Sequence, residues 1–179
     1  VAMHCASLAR RDVTLLDPEE LVHDFPQATQ TDKNPLKLSG TTSADGRVRE
    51  FGIVPDLILG LRFPDKSRRC FMIEIDRGTM PVTRSDPSVT SYSQKMQAYL
   101  AAHAAGGHER RYGWRAFRVL TVTTDRKRVR SMIDALGQLP MPPGPGASLF
   151  FFTTRDEIVA GDPLALQWRD GRGKPVTLL

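Results

Sequence analysis

The chain has 179 residues, 40% of them hydrophobic and 25% charged, and a net charge of +5. That is the length of one domain with enough apolar content for a sizeable core, and no run of about 18 apolar residues offers a membrane-spanning helix. Cys5 and Cys70 stand far apart with no CxxC or Cys/His spacing, which excludes a zinc module or a disulfide framework as the organising feature.

In chain order, Ala2 to Ala9 reads as the end of a helix, closed by Arg10-Arg11-Asp12. Val13 to Leu16 is a short strand. Asp17-Pro18 pairs an N-cap with proline at the first helical position, which predicts a turn or two of helix over Pro18 to His23. Phe25 to Asp45 is polar and punctuated by Pro26, Pro35 and Gly40, the mark of a long loop. Ala44-Asp45-Gly46 is a turn, and Arg47 to Ile53 is a strand leading into the next element.

That next element is a β-hairpin. Leu57, Leu59, Leu61 and Phe63 alternate with Ile58, Gly60 and Arg62, and Phe71, Ile73 and Ile75 alternate with Met72, Glu74 and Asp76, a period of two on both arms. Pro64-Asp65-Lys66-Ser67 supplies the turn. Asp56 and Glu74 are symmetric about position 65, so simple register sets them opposite each other, with Cβ atoms about 4.5–5.5 Å apart. Asp76 joins the same face. Three carboxylates gathered there call for a counter-charge, and a hard cation, Mg²⁺ or Mn²⁺, is the usual one.

Asp86-Pro87 again pairs a cap with an N1 proline, predicting a helix from Pro87 to about Ala105. Its apolar face carries Val89, Tyr92, Met96, Tyr99, Leu100 and His103, and Gly106-Gly107 ends it. Trp114 to Thr123 holds a buried strand. Thr124-Asp125 caps a second helix, Arg126 to Leu136. Pro140 to Gly146 is a proline- and glycine-rich surface loop. Ser148 to Thr153 is a further buried strand, Thr154 to Glu157 starts a short helix, and Leu164 to Leu179 is irregular or a last small hairpin. The order predicts an α/β fold with helices on both sides of a mixed central sheet. Residues 1–46 form a lead-in and residues 47–179 the main domain.

Basic residues concentrate at Arg110, Arg111, Arg115 and Arg118, interleaved with Tyr112 and Trp114, and again at Arg126, Lys127, Arg128 and Arg130. Such runs suit a DNA backbone, with salt-dependent and sequence-tolerant affinity. No glycine-rich phosphate loop, GxSxG or HExxH is present. His103 and His108 lack a partner at metal spacing.

Pro55-Asp56, then Glu74-x-Asp76 on the next strand, then a helix carrying Gln94-Lys95, resembles the PD-(D/E)xK nuclease-like superfamily. Val54-Pro55-Asp56, Ile73 to Thr79 and Lys95 to Tyr99 resemble, within it, the replication-relaxation proteins of plasmids and integrative elements. Phe150 to Thr154 and Trp168 fit the end of that pattern. The resemblance implies a restriction-endonuclease-like αβββαβ core and a cytoplasmic, Mg²⁺- or Mn²⁺-dependent DNA endonuclease or nickase. Asp56 and Glu74 would hold the ion. Asp76 would be a third ligand or a group behind the ligands, and the Ile75 carbonyl a further ligand. The superfamily pattern has lysine where this chain has Asp76, and some members supply it from the following helix. Lys95 is that candidate, with Gln94 assisting. The family usually carries a winged-helix DNA-binding region ahead of this part, so such a region is expected to precede residue 1. Two other readings stand beside this one: a catalytically inactive module of the same fold that binds DNA or protein, and a homodimerisation domain of a regulator.

Overall fold

The structure, a computed structural model, describes residues 3, 12–44, 47–85 and 90–179. In chain order its elements are β1 (Thr14–Leu16), α1 (Pro18–His23), α2 (Gln27–Gln30), β2 (Leu38–Ala44), β3 (Arg47–Ile53), β4 (Leu57–Arg62) and β5 (Arg68–Ile75). There follow α3 (Tyr92–Ala104), α4 (Gly107–Tyr112), β6 (Arg118–Thr123), α5 (Arg126–Gly137), β7 (Phe150–Thr154), α6 (Arg155–Ala160), β8 (Trp168–Asp170) and β9 (Pro175–Val176). Seven strands form one mixed sheet in the order β1-β4-β5-β6-β7-β8-β9. β1, β4 and β5 alternate in direction, β5, β6 and β7 are parallel, and β8 and β9 again run antiparallel.

The β4–β5 hairpin has the register its symmetry demands: Leu57 faces Ile73 and Arg62 faces Arg68. Its turn closes through Asp65, whose carboxylate accepts from the Ser67 amide at 2.9 Å. Parallel pairing cannot be closed by a tight turn and needs a crossover. α3 and α4 provide it between β5 and β6, and α5 provides it between β6 and β7. The sheet is apolar on both faces because both are covered. Ile58, Met72, Val119 and Phe152 pack with Met96 and Tyr99 of α3 and Met132 of α5. Leu59, Leu61, Phe71, Ile73 and Leu120 pack on the other face with Leu164, Trp168 and Leu178.

Helix starts follow side-chain chemistry. α1 opens on the Asp17–Glu20 capping box with Pro18 behind it. α5 opens on Asp125, which accepts from the Arg128 amide. α3 begins later than its proline pair suggests. Ser91 and Gln94 form its capping box, so the first turn is at Tyr92. The Asp86-Pro87 pair, the helix read over Ala2 to Ala9 save Met3, and the turn at Asp45-Gly46 lie outside the described residues.

Three segments differ from the sequence expectation. Arg47–Ile53 does not join the central sheet; it pairs with Leu38–Ala44 in a separate two-stranded ribbon. The polar stretch read as a loop therefore contains a helical turn, α2, and a strand. Gly40, a loop signal in sequence, is a strand position covered by the Phe51 ring, which lies 2.7 Å from where a Cβ would be; only glycine lets an aromatic partner sit that close. The place beside β4 goes instead to β1. Finally, Gly106-Gly107 does not merely end a helix. Gly106 takes a left-handed φ of 65° and launches α4 in a new direction.

α4 returns His108 against His103, their rings stacked at 4.5 Å beside Phe117. Burial holds both imidazoles below their ordinary value of 6.5. The fold thus carries both rings neutral, while the unfolded chain protonates them at the ordinary value. Stability is full above that value and falls as the pH drops below it toward the depressed folded values. Urea melts are expected to show a midpoint that declines between about pH 7 and pH 5.5, with a shallower decline in His108→Gln. A pH-independent midpoint over that range would contradict this account.

Candidate active site

Asp56, Glu74 and Asp76 stand where β5 and β6 end, the edge at which open α/β sheets usually bind ligands. Glu74 lies on the α3 face of the sheet and is 1% exposed. The Glu74 carboxylate has two partners from one helix: Lys95 donates its ammonium to Oε2, and Tyr99 donates its hydroxyl to Oε1 at 2.5 Å. Lys95 and Tyr99 are four residues apart, one turn, so α3 presents both to the same point. Burial raises the Glu74 carboxyl above its ordinary range, partly offset by Lys95; the Asp56 charge raises it further. Burial and the Glu74 charge likewise push the Tyr99 phenol well up, so it stays protonated as a donor.

Asp56 stands across the hairpin from Glu74. Its amide donates to the Ile73 carbonyl, and its carboxylate accepts from the Ile75 amide at 2.7 Å. That bond fixes one carboxylate oxygen at the strand end while the side chain remains exposed. Tyr92, near the start of α3, is buried. Its hydroxyl shares a 2.7 Å hydrogen bond with Thr121, and it feels the charges of Glu74, Asp76 and Asp56.

Asp76 is held differently. Arg128 grips it with two bonds, Nε to Oδ2 at 2.5 Å and Nη2 to Oδ1 at 2.8 Å, and Thr123 donates to Oδ2 at 2.5 Å. Burial alone would raise this carboxyl; the bonds from Arg128 and Thr123 outweigh it and hold the group below its usual range. Arg128 also donates to the Met80 carbonyl, which ties down the loop between β5 and α3. Gln94 caps α3 through the Ser91 amide, and Ile75 is half exposed.

The basic residues do not form one surface. Arg110, Arg111, Arg115 and Arg118 lie toward the start of β6, and Arg126 to Arg130 lie beyond its end, about 16 Å along the strand. Several are engaged. Arg110 donates to the Ala105 carbonyl, Arg111 pairs with Asp32, Arg118 donates to the Phe117 carbonyl, and Arg126 pairs with Glu157. Arg128 belongs to Asp76. Arg115, Lys127 and Arg130 are exposed, with no ion pair among the described residues.

Of the residues the sequence brought forward, Lys95 and Glu74 are in contact, Asp56 stands opposite Glu74 in the hairpin, and Asp76 is taken up by Arg128 and Thr123. The sequence read Tyr99 and Tyr92 as core and passed over Thr121 and Thr123. The Lys95–Tyr99 spacing was the one available signal for Tyr99. Among the described residues, no three His, Cys, Asp or Glu side chains are grouped as ready-made metal ligands. Comparison with protein families, with curated proteins and with solved structures returned no match.

Proposed function

We propose that this chain is a divalent-metal-dependent DNA endonuclease or nickase domain of the replication-relaxation type, with a PD-(D/E)xK arrangement. The observation that carries the proposal is the meeting of Asp56 and Glu74 across one hairpin with Lys95, from the next helix, on the buried Glu74. The succession β4, β5, α3, β6 suits the last part of the αβββαβ order, while the strand beside β4 is β1, which precedes α1 in the chain.

The donor set fits a hard cation. Lys95 offsets Glu74, while Asp56 opposite it has no ion pair among the described residues, so a negative charge is left over at the strand end. Mg²⁺ is commonly held by one or two carboxylates, with water and substrate phosphate filling its remaining positions. A bound ion would supply the Lewis acid that lowers the pKa of water and offsets charge on a phosphate. Asp56 would be oriented for this by the Ile75 amide, and Glu74 by Tyr99. The Lys95 side chain is 25% exposed beside Glu74, so its ammonium would be able to hold a phosphate oxygen or a water. Asp76, closed off by Arg128, would stiffen the end of β5 instead of binding the ion.

The test is relaxation of supercoiled plasmid in Mg²⁺ or Mn²⁺. Cleavage is expected to fall to background in Asp56→Ala and in Glu74→Ala, with Mn²⁺ binding lost in calorimetry. Cleavage that survives both substitutions sinks the proposal. The full engagement of Asp76 by Arg128 favours a second reading, a non-catalytic module that binds DNA. It predicts salt-dependent DNA retention with no metal requirement and no cleavage.

A further inference from the structure

A second cleft, of about 250 Å³, opens at the opposite end of β5 and β6. Arg69 and Arg118 enter it from neighbouring strands on the same face: Arg118 pairs with Phe71, two residues along from Arg69. Phe71 and Phe151 give it an aromatic floor and Leu178 closes one side. Along β5 it lies five residues from Glu74, about 16 Å, so it is separate from the candidate active site.

The two guanidinium groups are under-used. Each has five N–H donors, yet among the described residues Arg69 makes one hydrogen bond, to the Leu178 carbonyl at 2.9 Å, and rests over the Phe63 ring. Arg118 likewise makes one among them, to the Phe117 carbonyl at 3.0 Å. Neither meets a carboxylate among the described residues. Arg68, the third arginine at the rim, is already neutralised by Asp24. Burial pushes the Cys70 thiol up to about 11, so it brings no negative charge. Burial and the Arg69 charge both depress the proton affinity of Arg118. Arg69 is exposed and Arg118 partly buried, and two like charges side by side over an apolar lining are eased when an anion completes them.

We infer that this cleft binds a small organic anion, a phosphate or carboxylate head held by Arg69 and Arg118 on an aromatic or otherwise flat apolar body seated on Phe71 and Phe151. The head supplies the missing counter-charge, and a planar guanidinium fork matches its oxygens. The inference is independent of the nuclease reading.

Calorimetric titration of the full chain tests it with three probes: phenyl phosphate, inorganic phosphate and phenol. Phenyl phosphate is expected to bind tightest, because only it offers both head and ring. Arg118→Met and Arg69→Met are each expected to weaken it about tenfold, the value of one charge-assisted contact. Arg69→Met serves if Arg118→Met does not fold. Bound phenyl phosphate should move the amide resonances of Thr177 and Leu178, and Asp56→Ala should bind it unchanged. Phenol binding as tightly as phenyl phosphate, full-strength binding by both arginine variants, or shifts confined to Glu74 and Ile75 would each overturn the inference.

Discussion

Lys95→Met is expected to lose about 2–3 kcal/mol of folding stability and plasmid cleavage together. Removing one partner of a buried ion pair typically costs about 3–5 kcal/mol, because the other charge is left in an apolar setting. Here the cost falls at or somewhat below the bottom of that range. The Lys95 side chain is 25% exposed against 2% for Glu74, and the stranded carboxyl can take up a proton. Its proton affinity is already raised by burial, and loss of Lys95 raises it further. The deficit therefore has a pH signature. A carboxyl whose folded pKa is raised is harmless below its unfolded value of 4.5 and costs stability as the pH climbs through the folded value. The loss in Lys95→Met should be small near pH 4.5 and grow toward neutrality. Adding Glu74→Gln should restore most of the stability, since the amide oxygen still accepts from Tyr99, but none of the cleavage. A lysine that merely snorkels beside the site would behave otherwise. Its replacement would cost under about 0.5 kcal/mol, with the same value at every pH.

How far such a site is legible in sequence depends on the range of its contacts. The hairpin was legible because alternation, turn residues and mirror symmetry about position 65 all point to one register, and Leu57 does face Ile73. The meeting of Asp56 and Glu74 follows from that register alone. Lys95 and Tyr99 were legible as one face of a helix, though not as a clamp on a particular acid. The partner of Asp76 was not legible. Arg128 is 52 residues away inside a basic run that looks like a solvated or DNA-facing surface, and only the parallel pairing of β5 with β6 brings the start of α5 beside the end of β5. β2, and the partner of β3, were obscured for a related reason. A strand rich in glycine, serine and threonine such as β2 has no apolar alternation, and its pairing with β3 is visible only once Phe51 is known to cover Gly40.

Arg128→Met separates the two roles that sequence and structure give this residue. As a DNA contact, its loss would leave folding untouched, weaken DNA binding evenly across sequences and lower the salt slope by about one unit. As the partner of Asp76, its loss strands a carboxylate whose side chain is 4% exposed. Two charge-assisted bonds and the contact to the Met80 carbonyl go with it. We expect about 3 kcal/mol of destabilisation, read by urea melts, with Asp76→Asn in the same chain recovering a large part. Arg128→Lys should recover little, because one ammonium cannot reproduce a fork gripping both oxygens. Cleavage should fall as well, though Arg128 touches no phosphate in this account. The loop it anchors runs from Met80 into α3, where the Tyr92 and Ser93 amides bond the Pro81 and Val82 carbonyls. Those bonds set the start of the helix that aims Lys95 and Tyr99 at Glu74. A variant that melts like the parent chain and loses only salt-sensitive affinity would return Arg128 to the DNA surface and detach Asp76 from the scaffold of the site.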